Sequence, residues 1–283
     1  MYGGTPVPLP DESPGIISQS KPLNMSTIIN GRLSKKILIE GTITARTGLH
    51  IGGTNLGMSI GGADATVVRN PLDNKPYIPG SSLKGKMRSM LEKLEGKFGD
   101  GQDANIKASP YTKVDDDPVS ISKIFGTMPE KMKEKGAQPP SRLIVRDCMM
   151  TKETVDKLEK AKNTDMPYTE VKTEVVIDRI TSAATPRQME RVPAGAKFKM
   201  SIVLNLYDGD NGDGMLAKVF RGLVLVQNDY LGGKGTRGSG QVDFRVTGLK
   251  MKERTHYEND EDWAKYDGET QIPTEINGIK ASE

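Results

Sequence analysis

Lys234 and Arg237 stand in Asp229-Tyr-Leu-Gly-Gly-Lys-Gly-Thr-Arg-Gly-Ser-Gly240, a stretch with five glycines. Glycines allow a backbone to approach another molecule closely and to present its N–H groups, here with two cations fixed among them. Gly233, Lys234, Gly235 and Arg237 are therefore candidates for gripping a phosphate backbone. Gly233-x-Gly235-x-x-Gly238 also fits the dinucleotide fingerprint, which requires a strand before the loop and a helix after it. The order here is reversed: a helical pattern precedes the loop, and Val242, Phe244 and Val246 alternate after it as in a half-buried strand. A polynucleotide is the better fit, with an ordinary hairpin loop as the plain alternative.

Two further glycine motifs fail on their chemistry. Gly80-Ser-Ser-Leu-Lys-Gly85-Lys86 matches a nucleotide-hydrolase phosphate loop, but Met87 stands where Ser or Thr must hold Mg²⁺, and Pro79 interrupts the strand that should lead in. Asp208-Gly-Asp-Asn-Gly-Asp213 begins like a calcium loop, yet its fifth position is Gly212 and its twelfth is Val219, so the ligands do not close. It reads as a turn before a helix. His50, between Gly48 and Gly52, could donate a proton or touch a phosphate, although a lone histidine at a strand end is commonly a structural hydrogen-bonding residue. Asp64, in Ile60-Gly-Gly-Ala-Asp64, is by itself a turn former.

These residues need a frame. At 283 residues the chain is long enough for a proper core. One cysteine and two histidines exclude a disulfide framework and leave little for a histidine-based metal site. No apolar run approaches membrane-spanning length and the N-terminus lacks a cleavable apolar pattern, so a cytoplasmic protein is expected. The net charge of +3 conceals an asymmetry, because residues 253–283 carry nine acidic and three basic side chains and the rest about +9. A basic body points to an anionic partner.

Residues 1–34 read as a flexible arm, and 253–283 as an acidic tail. Between them, 35–252 should form one domain. Strands are expected over Lys36–Arg46, Ser141–Met150, Ala196–Tyr207 and Gln241–Val246. One helix should run from a Ser81 or Ser82 cap to Gly96, burying Leu83, Met87, Met90 and Leu94, with Lys84, Lys86 and Arg88 on its other faces. A second should run over Met215–Asn228, and residues 98–140 look like a polar insertion. The resulting order, β-α-β-β-α-β, is that of an α+β, ferredoxin-like, RNA-recognition-type core with insertions. Aromatics make up only 5% of the chain, so base stacking on the sheet is not the expected binding mode.

Taken in order, these motifs resemble the repeated backbone subunit of type III-A CRISPR effector complexes, the Csm family within the RAMP superfamily. The resemblance is carried by Thr47-Gly-Leu-His-Ile-Gly-Gly53, Ile60-Gly-Gly-Ala-Asp64, Tyr77-Ile-Pro-Gly-Ser-Ser-Leu-Lys-Gly-Lys-Met-Arg88 and Ser141-Arg-Leu-Ile-Val-Arg-Asp147. It continues through Tyr168-Thr-Glu-Val-Lys172, Ile177–Arg191 and Asp229–Gly240. The arm, the acidic tail and residues 98–140 lie outside it.

The resemblance implies a helical stack of identical subunits along a guide RNA, which pairs with complementary target RNA, together with other effector subunits. Base pairing then reads sequence while protein reads shape and phosphates. It implies that Asp64 acts at the scissile phosphate, aligning or deprotonating the 2′-hydroxyl or holding Mg²⁺ or another divalent cation once RNA is bound. His50 is a possible partner. It further implies that residues 168–192 form a thumb hairpin, with Arg187 and Arg191 near the duplex and Met189 as a wedge between base steps. Lys84, Lys86 and Arg88 would touch guide phosphates. The alternative is a non-catalytic RNA-binding filament subunit.

Overall fold

A computed structural model describes residues 31–53, 65–97, 117–126 and 141–279. Its centre is β1 (Leu33–Ala45), whose run of β-branched residues pairs antiparallel with β7 (Lys197–Tyr207) on one side and β8 (Val242–Glu253) on the other. Ile37 lies between Leu204 and Met251, and Ile43 between Phe198 and Phe244. β3 (Leu143–Val145) and β9 (Ala264–Lys265) complete a sheet of order β3-β7-β1-β8-β9. Stripped of β9, the four core strands follow the expected βαββαβ connectivity, and the ferredoxin-like reading stands.

Two helices cover one face of the sheet. α1 (Gly80–Glu95) buries Leu83, Met87 and Leu91, and α4 (Gly212–Gln227) buries Met215, Leu216, Val219, Phe220, Leu223 and Val226. Gly222 lets them approach: a Cβ there would lie 3.3 Å from both Leu91 Cδ1 and Met87 Cε. α1 ends at Gly96 in the left-handed conformation, as expected.

Its expected apolar stripe is displaced. Leu91 takes the buried place, Met90 is only partly buried and Leu94 is 54% exposed. Nor does a serine cap the helix. The N-cap is Pro79, and the first N–H, of Gly80, donates to Asp147 Oδ1 at 2.8 Å. That carboxylate satisfies an orphan donor and meets the positive helix end. The strand expected over Ser141–Met150 is split at Arg146 and Asp147. β3 joins the main sheet, while β4 (Cys148–Met149) pairs with β2 (Tyr77–Ile78).

Two regional expectations change, and residues 1–30 of the expected N-terminal arm lie outside the described residues. Of residues 98–140, the described part includes α2 (Ile121–Phe125), whose Ile121, Ile124 and Phe125 are buried in the core rather than looped out. The N-terminal arm is described only from residue 31, with β1 starting at Leu33. Residues 254–279 are not a free tail. α5 (Arg254–Glu258) follows β8, β9 pairs with β8, and Ile276 is fully buried in the core. Tyr266 Oη and Thr270 Oγ1 both donate to Asp213 Oδ1 at 2.6 Å. No described helix is long and apolar enough to cross a membrane.

Candidate nucleic-acid interface

Four segments meet at one end of the sheet. Residues 49–53 leave β1 and run beside 65–69, where Gly53 N–H donates to Thr66 O at 3.0 Å and Val68 N–H to Ile51 O at 2.9 Å. Leu49 and Val192 exchange backbone hydrogen bonds of 2.9 and 2.8 Å. Ala65 bridges to Met189, with Glu190 N–H donating to Ala65 O at 2.9 Å. The glycine loop closes the group: Gly233 N–H donates to His50 O at 2.8 Å, and Gly240 N–H to Gly48 O at 3.0 Å. Gly232, with φ +81°, cannot be replaced there, since its Cβ would fall 2.3 Å from His50 O.

Asp64 itself lies outside the described residues. What is described is its chain neighbour Ala65, bonded to the thumb base, and Gly53 on the other side of the 54–64 segment, bonded to Thr66.

A buried polar cluster fixes this junction. Glu190 is 1% exposed. Its carboxylate accepts from Thr169 Oγ1 at 2.7 Å and Val67 N–H at 2.9 Å, and pairs with the Arg69 guanidinium. Burial works to raise its pKa, but the hydrogen bonds from Thr169, Arg69 and Val67 outweigh it and hold the carboxyl below its usual range. The Glu190 carbonyl takes His50 Nδ1 at 2.7 Å. Because a carbonyl only accepts, Nδ1 carries the proton and Nε2 is the ring nitrogen left to meet a ligand. His50 is 7% exposed. It serves first as a joint between loops.

From β5 (Glu170–Ile177) the chain doubles back along β6 (Ala184–Arg191), paired from Glu170 with Arg191 to Ile177 with Ala184. This is the expected thumb hairpin. Asp178 closes its tip by accepting from Ile180 N–H and Thr181 N–H at 2.9 and 2.7 Å. Val175, Val176 and Ile177 are exposed near the tip, and Ile180 is 94% exposed. Met189 is 5% exposed at the hairpin base, because its bridge to Ala65 turns it inward, so the expected wedge is misplaced by sequence. Arg187 is exposed, whereas Arg191 pairs with Glu170 and packs its stem against Gly48.

The glycine loop presents its cations differently. Lys234, exposed and at φ +60°, begins a short 3₁₀ turn over Gly235–Arg237, and Gly238 faces open space. Arg237 Nη1 reaches Glu174 Oε2 of the thumb at 3.0 Å. Gly235 lies flat against Tyr230, where a Cβ would strike the ring at 2.1 Å.

The helix cations are spent inside the chain. Lys84 Nζ donates to Ser141 Oγ and Leu143 O, both at 2.8 Å, and burial followed by the like charge of Arg88 lowers its pKa. Lys86 Nζ pairs with Asp229 at 2.6 Å and sits 3.7 Å from the Tyr230 ring centre. Arg88 is held by Glu92 at 2.7 Å and by Gly126 O at 2.9 Å. Lys86 thus supports the glycine loop from beneath, while Lys84 and Arg88 tie α1 to neighbouring segments.

Arg69, Thr169 and Glu190 are the functional-region residues that sequence reasoning missed. Glu190 is 121 positions from Arg69, and nothing local marks the two as partners. Cys148 is chemically quiet, since burial first and Asp147 second push its thiol up to about 12. Among the described residues no group of three or more His, Cys, Asp or Glu is gathered to hold a metal.

This fold, with a glycine loop and thumb at one end, defines a class. Residues 42–243 match the RAMP superfamily, and the chain belongs to it. It is 39% identical over 223 residues to the "CRISPR system Cms endoribonuclease Csm3" of Methanothermobacter thermautotrophicus, covering 79% of this chain and 88% of that protein. To the protein of the same description from Methanocaldococcus jannaschii it is 37% identical over 250 residues, covering 87% and 94%. Among solved structures it is similar to a Csm3–Csm4 subcomplex of the type III-A CRISPR-Cas interference complex, at 28% identity and TM-score 0.50 over 82% of this chain and 89% of that one. Methanopyrus kandleri Csm3 shares the fold, with TM-score 0.51 at 21% identity over 81% and 80% of the two chains.

Proposed function

We propose that this chain is the repeated, guide-RNA-binding backbone subunit of a type III-A effector, and that it cleaves complementary target RNA at regular intervals. The observation that carries this reading is the junction described above. The two stems flanking 54–64, His50, the thumb base and the glycine loop are bound to one another by backbone hydrogen bonds and the Glu190 cluster. Gly53 and Ala65, the described residues on either side of that segment, are thereby tied to the 65–69 stretch and to the thumb base.

RNA cleavage at such a site needs no protein nucleophile. The 2′-oxygen attacks the adjacent phosphorus, the bond to the 5′-oxygen breaks, and the products carry a 2′,3′-cyclic phosphate and a 5′-hydroxyl. The chain must align the 2′-oxygen in line with the leaving oxygen, take the 2′-proton and stabilise the phosphorane charge. Asp64 is assigned to the 2′-hydroxyl. Lys234 and Arg237 are assigned to phosphates, and His50 Nε2 to a phosphate or the leaving oxygen. The apolar tip at Ile177 and Ile180, rather than Met189, is assigned to the unstacking of target nucleotides that makes in-line geometry accessible.

A divalent cation such as Mg²⁺, if held by Asp64, RNA oxygens and water, would neutralise charge developing at the phosphate. The described residues offer it no further cluster. Copies of the chain stack along the guide, with other effector subunits at the ends, in the cytoplasm.

The test is incubation of the guide-loaded complex with end-labelled complementary RNA. Evenly spaced fragments, absent with non-complementary RNA and with chelator, are expected. Tight binding without fragments would instead make the chain a structural filament subunit.

A further inference from the structure

Away from the glycine loop, a cleft of about 350 Å³ opens between the 70–76 turn, β4, α3 (Lys152–Glu159) and β7. Its apolar lining is Pro76, Met149, Met150 and Val155, and Met149 is 45% exposed although it lies on a paired strand. Its cations are Lys75, Lys152 and Lys199. Lys75 is occupied by Asp73 at 3.5 Å, whereas Lys152 and Lys199 form no ion pair among the described residues.

Lys199 also begins a row across the sheet face opposite α1 and α4. Thr42 of β1 pairs with Lys199 of β7 and with Arg245 of β8, so the three side chains stand abreast at strand spacing, about 4.8 Å apart. Lys199 and Arg245 are both exposed. Cations therefore lead out of the cleft and over the sheet in a line. A compact anion could use the cleft but not the row, and an acidic helix would have no use for an apolar pocket. A strand of alternating flat bases and phosphates uses both, because bases pack on apolar and sulfur-bearing side chains while lysines meet the backbone.

We propose that this cleft seats one nucleotide of an RNA strand, its base against Pro76, Met149 and Val155, its phosphates at Lys152 and Lys199, and its backbone continuing past Thr42 to Arg245. The assignment rests on the reading that the chain binds RNA, and it adds a contact separate from the glycine loop.

The test uses the assembled, guide-loaded complex and labelled complementary RNA carrying 4-thiouridine. Three forms are compared: wild type, Lys152→Gln with Lys199→Gln, and Lys234→Gln with Arg237→Gln. Two lost single-strand phosphate contacts should reduce the slope of log affinity against log salt by about 1.4 in the cleft variant, and irradiation should crosslink RNA to the peptide holding Met149. An unchanged slope without that crosslink overturns the cleft assignment alone, provided the glycine-loop variant weakens binding. If neither variant alters RNA affinity, the RNA-binding reading fails as well. If the cleft variant keeps its slope but loses other subunits during purification, the face is a protein interface and the proposal is wrong.

Discussion

At the scale of single residues, Glu190 is the hinge of the account. It is an ionised carboxylate almost without solvent, tolerated because Arg69, Thr169 and Val67 supply its hydrogen bonds. Removing the charge would leave the half-buried Arg69 without its counter-ion. Glu190→Gln should therefore destabilise the fold by about 3–5 kcal/mol, read as a fall in Tm or in the urea midpoint. The pH dependence follows from the lowered pKa. The folded carboxyl releases its proton more readily than the unfolded one, whose value is near 4.5, so its stabilisation is present above that pH and is lost as pH falls through the folded pKa. The acid limb of the wild-type stability curve should flatten in Glu190→Gln. An equally steep limb in the variant would assign acid unfolding to other groups. None of this was visible in Pro186-Arg-Gln-Met-Glu-Arg191, where the arginines drew attention and the carboxylate did not. Lys84 and Arg88 misled in the opposite direction. Their helical spacing suggested a phosphate-facing row, but Ser141, Leu143 and Gly126, distant in sequence, take up hydrogen bonds from Lys84 and Arg88, and Glu92, one turn along the same helix, pairs with Arg88.

At the scale of elements, the thumb has a rigid base and an apolar, solvent-facing tip. Its base is fixed by the Glu190 cluster and by Arg191 against Glu170, while Ile177 and Ile180 project into solvent. Large exposed apolar side chains on a hairpin tip mark a surface that something covers. Ile180→Ser should leave Tm unchanged, because the side chain is already 94% exposed, yet lower target cleavage severalfold at saturating target. Wild-type cleavage rates in this variant would remove the tip from the mechanism. The hairpin's existence was legible through the family resemblance of residues 168–192, and the exposed β5–β6 pairing agrees with it. Which apolar residue would be free was not, because Met189's burial depends on Ala65, more than a hundred positions away. The same limit explains α1. Periodicity fixed the helix, but whether Leu91 or Leu94 is buried depends on where α4 crosses.

At the scale of the molecule, the central strands were readable because β1 is rich in β-branched residues and the first halves of β7 and β8 alternate. The C-terminal region was not. Its charge suggested an acidic tail and gave no sign that Ile276 enters the core or that Tyr266 and Thr270 bond to Asp213 at the start of α4. Truncation after Glu253 should accordingly lower Tm, since burial of Ile276 alone contributes about 1.5–3 kcal/mol. An unchanged Tm would restore the picture of a disposable tail.

At the junction at one end of this body, Asp64 is proposed to act on RNA held by the glycine loop and thumb. The direct measurement is cleavage of labelled complementary RNA by guide-loaded complexes carrying Asp64 or Asp64→Ala, with target affinity measured in parallel. Loss of the evenly spaced fragments, about a hundredfold or more in rate, with affinity retained is the predicted result. Fragments at the wild-type rate from Asp64→Ala would contradict the assignment and move the chemistry to another residue.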